Sequence, residues 1–590
     1  MTRVILLAAV LALGATAPPL DSKALAELFE ESFETQLELD PLLATSIGDP
    51  RYNDRLPMTQ APDYRAKVEA AGRRALDRLK AFDREALSDS DRLSYDVFRL
   101  QQERTLEGIR FAAEHLLPVD QRRTLPVYFA QLGSGKSLHP FKTAKDYDDF
   151  LKRADAYSVW VDQAIVSMRE GMRTGYVQPR VLMERALPVL AAHLVEKPED
   201  SLFWGPITAF PSELAEADKE RLTAAYRKAI TATIVPAYRR LHAFIRDEYL
   251  PKCRDTVGVD ALPDGKEYYS YRVRVSTTTS LTPAEIHDLG LTEVTRLHEE
   301  IRALMRHLKF EGDLHAFFTY MKTDPRFRWN TPEEVIADYE AVKKRVNAAL
   351  PRLFETLPRA DYEVRPVEKF RERSAAGGSY VAASPDGSRP GVFYANTYDL
   401  KSRSKWGMES LSLHEGNPGH HLQLSVAREA ESLPRFRRFG GYTAYVEGWG
   451  LYAESLGDEL GAYEDPYQDF GRLEAELWRA IRLVVDTGLH SKGWTREQVL
   501  DYMSENSATG DATRVSEAER YISWPAQALA YKIGELKIRE LRMRAQAKLG
   551  ARFDVRKFHT EILKDGPLPL DVLEPKIDGW IAAQSKTPAG

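Results

Sequence analysis

The chain has 590 residues and a mass of 66.9 kDa, with 43% hydrophobic and 29% charged residues, a composition typical of a globular protein with a large core. A net charge of −6 and a pI of about 6.2 exclude the basic excess that marks nucleic-acid-binding proteins. The single cysteine, Cys253, excludes an intramolecular disulfide and a cysteine-rich metal site.

Residues 1–17 have the features of a secretory signal peptide. Arg3 supplies a positive start, residues 4–13 are apolar, and residues 15–17 are small enough for cleavage. This apolar run is shorter than the about 20 residues that span a bilayer, and no cysteine lies nearby for lipid attachment. We therefore predict a periplasmic or secreted protein without stable membrane insertion. The alternative is an uncleaved amino-terminal helix that tethers the chain or is buried.

Hydrophobic residues recur at intervals of three and four through most of the chain, which predicts amphipathic helices. Thr282 and Thr331 each precede a proline and stand three residues before a glutamate, as helix-capping threonines do. The clearest predicted helices cover 66–84, 144–172, 218–246, 283–308 and 332–354.

Residues 362–399 interrupt the helical pattern. Short runs at 362–367 and 391–398 have strand character, and glycine-rich or proline-rich turns at 377–378 and 384–387 separate them. We predict a small sheet, in which an edge strand could bind an extended substrate backbone. Tyr394 and Asn396 are then candidates for substrate contact; the alternative is a hairpin that only covers the core.

Residues 413–423 read Leu-His-Glu-Gly-Asn-Pro-Gly-His-His-Leu-Gln and contain three of the chain's 13 histidines. This segment is a disturbed form of the metalloprotease signature His-Glu-x-x-His, in which two histidines bind zinc and the glutamate activates the bound water. His414 and Glu415 supply its first two positions. We predict one Zn²⁺ per chain.

The histidine spacing requires a break in the helix. On a regular helix His414 and His420 would lie about 120° apart around the axis and roughly 9 Å apart along it. Glycine and proline within 416–419 favour a loop that would bring His420 beside His414. His421 is the alternative ligand, but it requires an unbroken helix through Pro418. In a third interpretation, the segment is a plain turn with histidines near the surface.

A catalytic zinc ion usually has three protein ligands, so one more must come from elsewhere. Glu447 lies in the aromatic and apolar segment 445–454, where a carboxylate is expected to be buried and paired. Glu454, about two turns along the same helical face, is an alternative ligand or an acceptor for a ligand histidine N–H. Both glutamates could also be ordinary solvated acids.

Three segments together resemble the bacterial domain-of-unknown-function-885 family (DUF885). They are 413–423, Glu-Gly-Trp-x-Leu-Tyr-x-Glu at 447–454, and Glu-Arg-Tyr-x-x-x-Pro-x-Gln-Ala-Leu-x-Tyr-Lys-x-Gly at 519–534. The resemblance extends over nearly the whole mature chain. The family is grouped by resemblance with gluzincin-type helical zinc peptidases, which implies a peptidase without fixing its substrate. The implied roles are zinc ligand for His414, His420 and Glu447, and base for Glu415.

Two tyrosines of the third segment are candidates for catalysis. Tyr521 and Tyr531 lie ten residues apart on what the pattern predicts to be one helix. A phenol O–H at the metal site would stabilise the oxyanion that forms as water adds to a peptide carbonyl. The resemblance favours Tyr531 for this role.

Cations of the same segment are candidates for substrate binding. Arg520 and Lys532 are predicted to bind a substrate carboxylate. Alternatively, Arg520 pairs with a buried acid such as Asp486. Arg482, Asp486 and His490, at four-residue spacing on one helical face, are predicted to brace the site rather than bind metal.

We thus predict a mainly α fold with a large, two-lobed zinc-peptidase-like architecture and a small β-sheet next to the metal helix. A signal peptide at 1–17 precedes a helical region at 18–360 and a catalytic region at 361–590, and these two regions form one functional unit. The predicted function is exported, zinc-dependent hydrolysis of short or unfolded peptides. The alternatives are a zinc hydrolase of esters or non-peptide amides and an inactive periplasmic binding protein.

Overall fold

The computed structural model describes residues 22–586 except 123, 370–371, 373–375 and 384–389. The predicted signal peptide at 1–17 and the predicted turn at 384–387 therefore lie outside the described residues. Helices dominate the described part of the chain, and one three-stranded sheet accompanies them. The predicted mainly α fold with a small sheet is confirmed.

Helices α1 to α14 precede the sheet in the chain. They are α1 (Ser22–Leu39), α2 (Pro41–Ser46), α3 (Tyr64–Leu79), α4 (Asp89–Gly108), α5 (Ala113–Leu116), α6 (Leu125–Gly133), α7 (Ala144–Thr174), α8 (Arg180–Ala191), α9 (Glu216–Ala229), α10 (Val235–Phe244), α11 (Gly265–Thr277), α12 (Pro283–His307), α13 (Leu314–Thr323) and α14 (Pro332–Ala349).

The strands and the remaining helices follow. The strands are β1 (Tyr362–Pro366), β2 (Gly378–Val381) and β3 (Gly391–Ala395). The helices are α15 (Met408–Glu415), α16 (His420–Glu429), α17 (Arg435–Arg438), α18 (Thr443–Glu454), α19 (Pro466–Ser491), α20 (Arg496–Asn506), α21 (Asp511–Ser523), α22 (Ala530–Leu549), α23 (Val555–Leu563) and α24 (Leu570–Lys586).

Four of the five predicted helices are confirmed within a few residues, as α3, α7, α12 and α14. The predicted helix at 218–246 is instead divided into α9 and α10 by a π-helical turn, Ile230–Ile234. Pro236 follows that turn and has no N–H to donate to a preceding carbonyl, which disfavours a regular helix there. Thr282 caps α12 in the predicted way. The Thr282 side chain accepts a hydrogen bond from the backbone N–H of Glu285, and the Glu285 side chain accepts one from the backbone N–H of Thr282.

Two large hydrophobic cores each combine residues from before and after residue 360. In one core, Phe129 belongs to the same cluster as Ile481 of α19. In the other, the rings of Phe29 on α1 and Phe436 on α17 lie 4.9 Å apart. The predicted boundary at 360–361 therefore does not separate the cores. Among the residues that the structure describes, every helix is too short or too polar to cross a bilayer.

The sheet has the order β1-β3-β2, with β3 parallel to β1 and antiparallel to β2. Phe393 of β3 and Tyr339 of α14 belong to a small core under the sheet. Gly378 of β2 packs against Leu411 of α15, where a Cβ would lie 3.0 Å from a methyl carbon of that leucine. The sheet thus lies next to the helix that carries His414, as predicted.

Candidate metal centre

The helical path is interrupted at 416–419, as the glycines and the proline of this segment predict. α15 ends at Glu415 and α16 begins at His420, and the loop at 416–419 contains a cis Asn417–Pro418 peptide bond. The loop brings the rings of His414 and His420 to a centroid separation of 4.7 Å. Because the two rings are neighbours, their nitrogens can face a common point.

Glu447 of α18 completes a group of three ligand-type side chains. Its Oε2 lies 3.5 Å from Nε2 of His414 and 3.4 Å from Nε2 of His420. One ligand atom from each residue lies within 4.8 Å of the others. Two imidazole nitrogens and one carboxylate oxygen are a donor set that catalytic zinc sites use, so these residues fit zinc.

Glycines allow α18 to approach its neighbours closely enough to place Glu447. A Cβ on Gly450 would lie 2.7 Å from the ring of His414, and a Cβ on Gly448 would lie 2.4 Å from Cα of Gly534 on α22. Larger side chains at these positions would push α18 away from α15 and α22. The Glu-Gly-Trp-Gly sequence therefore positions the carboxylate through packing.

Glu454 lies behind His414 rather than in the ligand group. Its Oε1 accepts a hydrogen bond from Nδ1 of His414 at 2.7 Å, so the Nε2 of that ring is free to face Glu447. Glu454 also accepts from Ser410 and lies 3.3 Å from Arg479. Of the two roles predicted for Glu454, the structure places it in the supporting one. Ser410, one turn before His414, and Arg479 also support this glutamate, although neither is among the residues predicted for the site.

His421 points away from the group. It is buried, and its Nδ1 lies 2.8 Å from the hydroxyl of Tyr380 on β2. Its ring packs against Tyr362 of β1, with centroids 4.7 Å apart. Of the two candidates for the second histidine, only His420 lies beside His414.

The charges of the group favour a cation among these residues. Burial disfavours a charged His414, but hydrogen bonds with Glu447 and Glu454 outweigh burial and raise the pKa of His414 to about 9. Burial also opposes the charge of Glu447, yet hydrogen bonds from both histidines hold the pKa of Glu447 well below its usual range. The carboxylates attract positive charge here, which a metal ion would supply in place of protons.

Glu415 follows His414 at the end of α15 and is partly exposed. The part of the chain that the structure describes offers it no hydrogen bond or salt bridge, while its charge contributes to the raised pKa of His414. A carboxylate without a hydrogen-bond or salt-bridge partner beside a candidate metal site has the chemistry of a general base.

Tyr531 of α22 lies near His414. The two rings are nearly parallel, with centroids 6.5 Å apart. Burial, followed by the charge of Glu447, raises the pKa of Tyr531, so this phenol keeps its proton at neutral pH. The guanidinium carbon of Arg482 lies 4.6 Å from the centre of the Tyr531 ring and that of Arg520 lies 5.9 Å away. Tyr531 is thus a protonated donor near the metal ligands.

The prediction that one helix carries both tyrosines is wrong. α21 ends at Ser523 and α22 begins at Ala530, because Pro525 and the left-handed backbone of Ala526 end the helical path. Tyr521 is completely buried, donates to Glu517 at 2.8 Å and accepts from Arg482 at 2.9 Å. Its hydroxyl therefore already has two protein partners, whereas the catalytic role predicted for it requires a hydroxyl that is available to the substrate.

The two cations predicted to bind a substrate carboxylate already have protein partners. Arg520 donates to Glu517 at 3.0 and 3.1 Å and to Gln527 at 2.7 Å, so Glu517, not Asp486, is its acidic partner. Lys532 is completely buried and forms salt bridges with three glutamates. These partners of Lys532 are Glu293 at 3.0 Å, Glu476 at 2.6 Å and Glu535 at 2.9 Å. The structure places Lys532 inside the protein, where it joins α22 to α12 and α19.

The predicted bracing face of α19 holds the chain between α21 and α22. Asp486 accepts from the N–H of Ala526 at 3.0 Å, and Nε2 of His490 donates to the carbonyl of Tyr521 at 3.0 Å. Arg482 donates to the hydroxyl of Tyr521. These three residues therefore support the segment that precedes Tyr531, and none of them belongs to the metal group.

The two candidates from the sheet also differ from their predicted setting. β3 is the middle strand, so its backbone is already paired on both sides and an added substrate strand cannot bind next to Tyr394. Asn396 is buried, and its amide donates to the carbonyl of Glu372 and accepts from the N–H of Tyr398. An edge-strand role for Tyr394 and Asn396 is therefore wrong.

A family model described as "Bacterial protein of unknown function (DUF885)" matches residues 41–577. The chain therefore belongs to this family, as the three motifs predicted. None of the curated proteins matches the chain.

Two solved structures share the fold. One is a candidate lipoprotein from Colwellia psychrerythraea, which is 28% identical, superposes with a TM-score of 0.88, and is matched over 95% of this chain and 99% of its own. The other is a candidate lipoprotein of unknown function from Shewanella oneidensis, with 18% identity, a TM-score of 0.71, and coverage of 93% of this chain and 99% of its own.

Proposed function

We propose that this protein is a zinc-dependent hydrolase that cleaves peptide bonds in short or unfolded peptides. The observation that carries the proposal is the convergence of His414, His420 and Glu447, with Glu415 next to the first ligand. A zinc ion at this site would polarise a carbonyl and lower the pKa of a water molecule towards neutrality. The proposal includes a two-lobed architecture of the gluzincin type, with the small sheet beside the metal helix.

Three residues of the chain have further roles in the proposed reaction. Glu415 takes a proton from the attacking water and later delivers it to the leaving amine. Tyr531 donates its O–H to the oxyanion that develops on the substrate carbonyl. Glu454 fixes the orientation and the protonated nitrogen of His414 through their 2.7 Å hydrogen bond.

We also propose that the protein is exported. The apolar leader at residues 4–13 supports this proposal, and both structural neighbours are described as candidate lipoproteins.

The test is a Glu415→Gln variant, which removes the proton acceptor without removing a ligand. Digestion of a peptide library, followed by mass spectrometry, should show cleavage by the zinc-loaded wild type and a loss of several orders of magnitude in the variant. Glu429→Gln on α16 is the matched control and should cleave normally, since Glu429 pairs with the exposed Arg359.

Near-normal cleavage by Glu415→Gln would refute this mechanism. Wild-type protein that hydrolyses esters but no peptide would indicate the ester-hydrolase alternative, whereas tight peptide binding without any hydrolysis would indicate a binding protein.

A further inference from the structure

A cavity of about 450 Å³ lies between the sheet, the loop before α15 and the start of α21. Its volume is within the range of about 300–1,000 Å³ that small-molecule sites occupy. Among the described residues, four cations line it but only one acid does, Asp511, which is paired with Arg514. The cations are Lys322, Arg328, Lys401 and Arg403.

The cavity lies on the same side of α15 as the proposed base. Leu411 lines the cavity, and Glu415 follows it by four residues, so both side chains lie on one face of the helix. Tyr339 of α14 also lines the cavity. Burial raises the pKa of Tyr339, the charge of Arg403 opposes that shift and the charge of Glu415 adds to it. The charges of Arg403 and Glu415 therefore both act on the hydroxyl group of Tyr339.

Neither arginine of the cavity forms a salt bridge within the described residues, unlike Arg482, Arg520 and Lys532. Arg328 donates to the carbonyl of Arg403 at 2.9 Å, to the hydroxyl of Ser404 at 2.6 Å and to the carbonyl of Lys322, all of them neutral groups.

The guanidinium group of Arg403 has fewer hydrogen-bond partners than that of Arg328. Its Nε is buried without a hydrogen-bond partner, and the described part of the chain provides no salt bridge to its guanidinium. Burial lowers the pKa of Arg403 more than the charges of Tyr339 and Asp399 raise it, and burial also lowers the pKa of Arg328. A buried charge that forms no salt bridge costs free energy, which a bound anion would offset.

We propose that this cavity binds a carboxylate group of the peptide substrate, with Arg403 as its principal contact. A guanidinium binds a carboxylate through two parallel hydrogen bonds, and Arg328 adds positive charge beside it. The carboxylate is either the free carboxyl terminus of a peptide or the side chain of an aspartate or glutamate near the cleaved bond. The proposal rests on the proposed peptidase function, because Glu415 would act on the bond that this anchor positions.

The experiment measures peptide binding to the zinc-loaded Glu415→Gln protein by fluorescence anisotropy, so it needs no hydrolysis. Each labelled peptide is compared with its carboxyl-amidated twin and with a twin that carries Asn or Gln for Asp or Glu. One of the two changes should weaken binding at least about tenfold, because it removes the charge that strengthens the hydrogen bonds to the carboxylate. Which change has this effect identifies the source of the carboxylate.

Adding Arg403→Gln should abolish the difference between the twins, and Arg403→Lys should retain part of it because lysine keeps the charge without the planar fork. Arg365→Gln is the matched control and should preserve the difference, because Arg365 is an exposed residue of β1 that pairs with Glu363 and does not line the cavity. Zinc content and melting temperature are measured for every variant.

Equal binding of all twins to the Glu415→Gln protein would overturn the carboxylate site, whether or not the Arg403 variants fold. If the wild type still cleaves peptides, that result leaves the proposed function intact. Conversely, a wild type that cleaves no peptide, combined with an acid preference that depends on Arg403, would refute the proposed function and support the binding site.

Discussion

Glu454→Gln tests whether a supporting residue behind His414 controls metal binding. Glu454 is 2% exposed and holds His414, Ser410 and Arg479 with one carboxylate. Glutamine has nearly the same volume but only one acceptor oxygen, so its amide nitrogen must face one of these donors. The hydrogen bond at Nδ1 of His414 then loses its negative acceptor, and charge-assisted bonds are roughly twice as strong as neutral ones.

Loss of such a partner weakens metal binding by about 10–100-fold, which corresponds to about 1.4–2.7 kcal/mol. We expect this decrease in a competition titration of the Glu454→Gln protein against a chromophoric zinc chelator at constant pH. Thermal unfolding of the metal-free protein separates this effect from a general loss of stability, because Arg479 also loses its counter-charge.

Glu474→Gln is the matched control for Glu454→Gln. Glu474 is also a buried carboxyl group, but burial raises its pKa to about 8, so it is mostly protonated at neutral pH and glutamine imitates it. Its zinc affinity should equal that of the wild type. Zinc affinity of Glu454→Gln within about twofold of the wild type would refute the supporting role that the 2.7 Å hydrogen bond indicates.

Two further predictions concern catalysis and pH. Tyr531→Phe should retain zinc and lower kcat by about 10²–10³-fold with little change in KM, because it removes one hydrogen-bond donor to the oxyanion. Steady-state kinetics that show a normal kcat would contradict this role. Burial raises the pKa of Glu474 from its ordinary value of 4.5 to about 8 in the folded protein. Between these two pH values the folded chain keeps a proton that the unfolded chain releases. The stability of the wild type therefore falls as the pH rises from 4.5 to about 8. Urea unfolding at about pH 5 and about pH 8 should therefore show that Glu474→Gln becomes more stable relative to the wild type at the higher pH, by up to several kcal/mol, and an unchanged difference would contradict the raised pKa.

Local sequence signals predicted the elements of the fold well. Capping at Thr282 and apolar periodicity determine α12, because both act within one or two turns of chain. The loop at 416–419 was also predictable, since Pro418 lacks an N–H and the adjacent glycines tolerate irregular backbone. The choice of His420 over His421 follows directly from that loop.

Long-range arrangement was not predictable in the same way. Strand β3 follows β2 in the chain yet lies between β1 and β2, and no local signal determines which strand becomes central. The position of Lys532 depends on carboxylates of α12 and α19, which the sequence around Lys532 does not contain. Arg328 and Arg403 are 75 residues apart, and only folding places them on one cavity, where neither forms a salt bridge with another described residue.

The proposed zinc site is tested most directly by the zinc content of purified, zinc-loaded protein, measured by inductively coupled plasma mass spectrometry. We expect one zinc ion per wild-type chain, close to one in His421→Ala, and little in His420→Ala, because only His420 lies beside His414 and Glu447. A wild type without zinc, or zinc that is retained in His420→Ala and lost in His421→Ala, would contradict a zinc site formed by His414, His420 and Glu447.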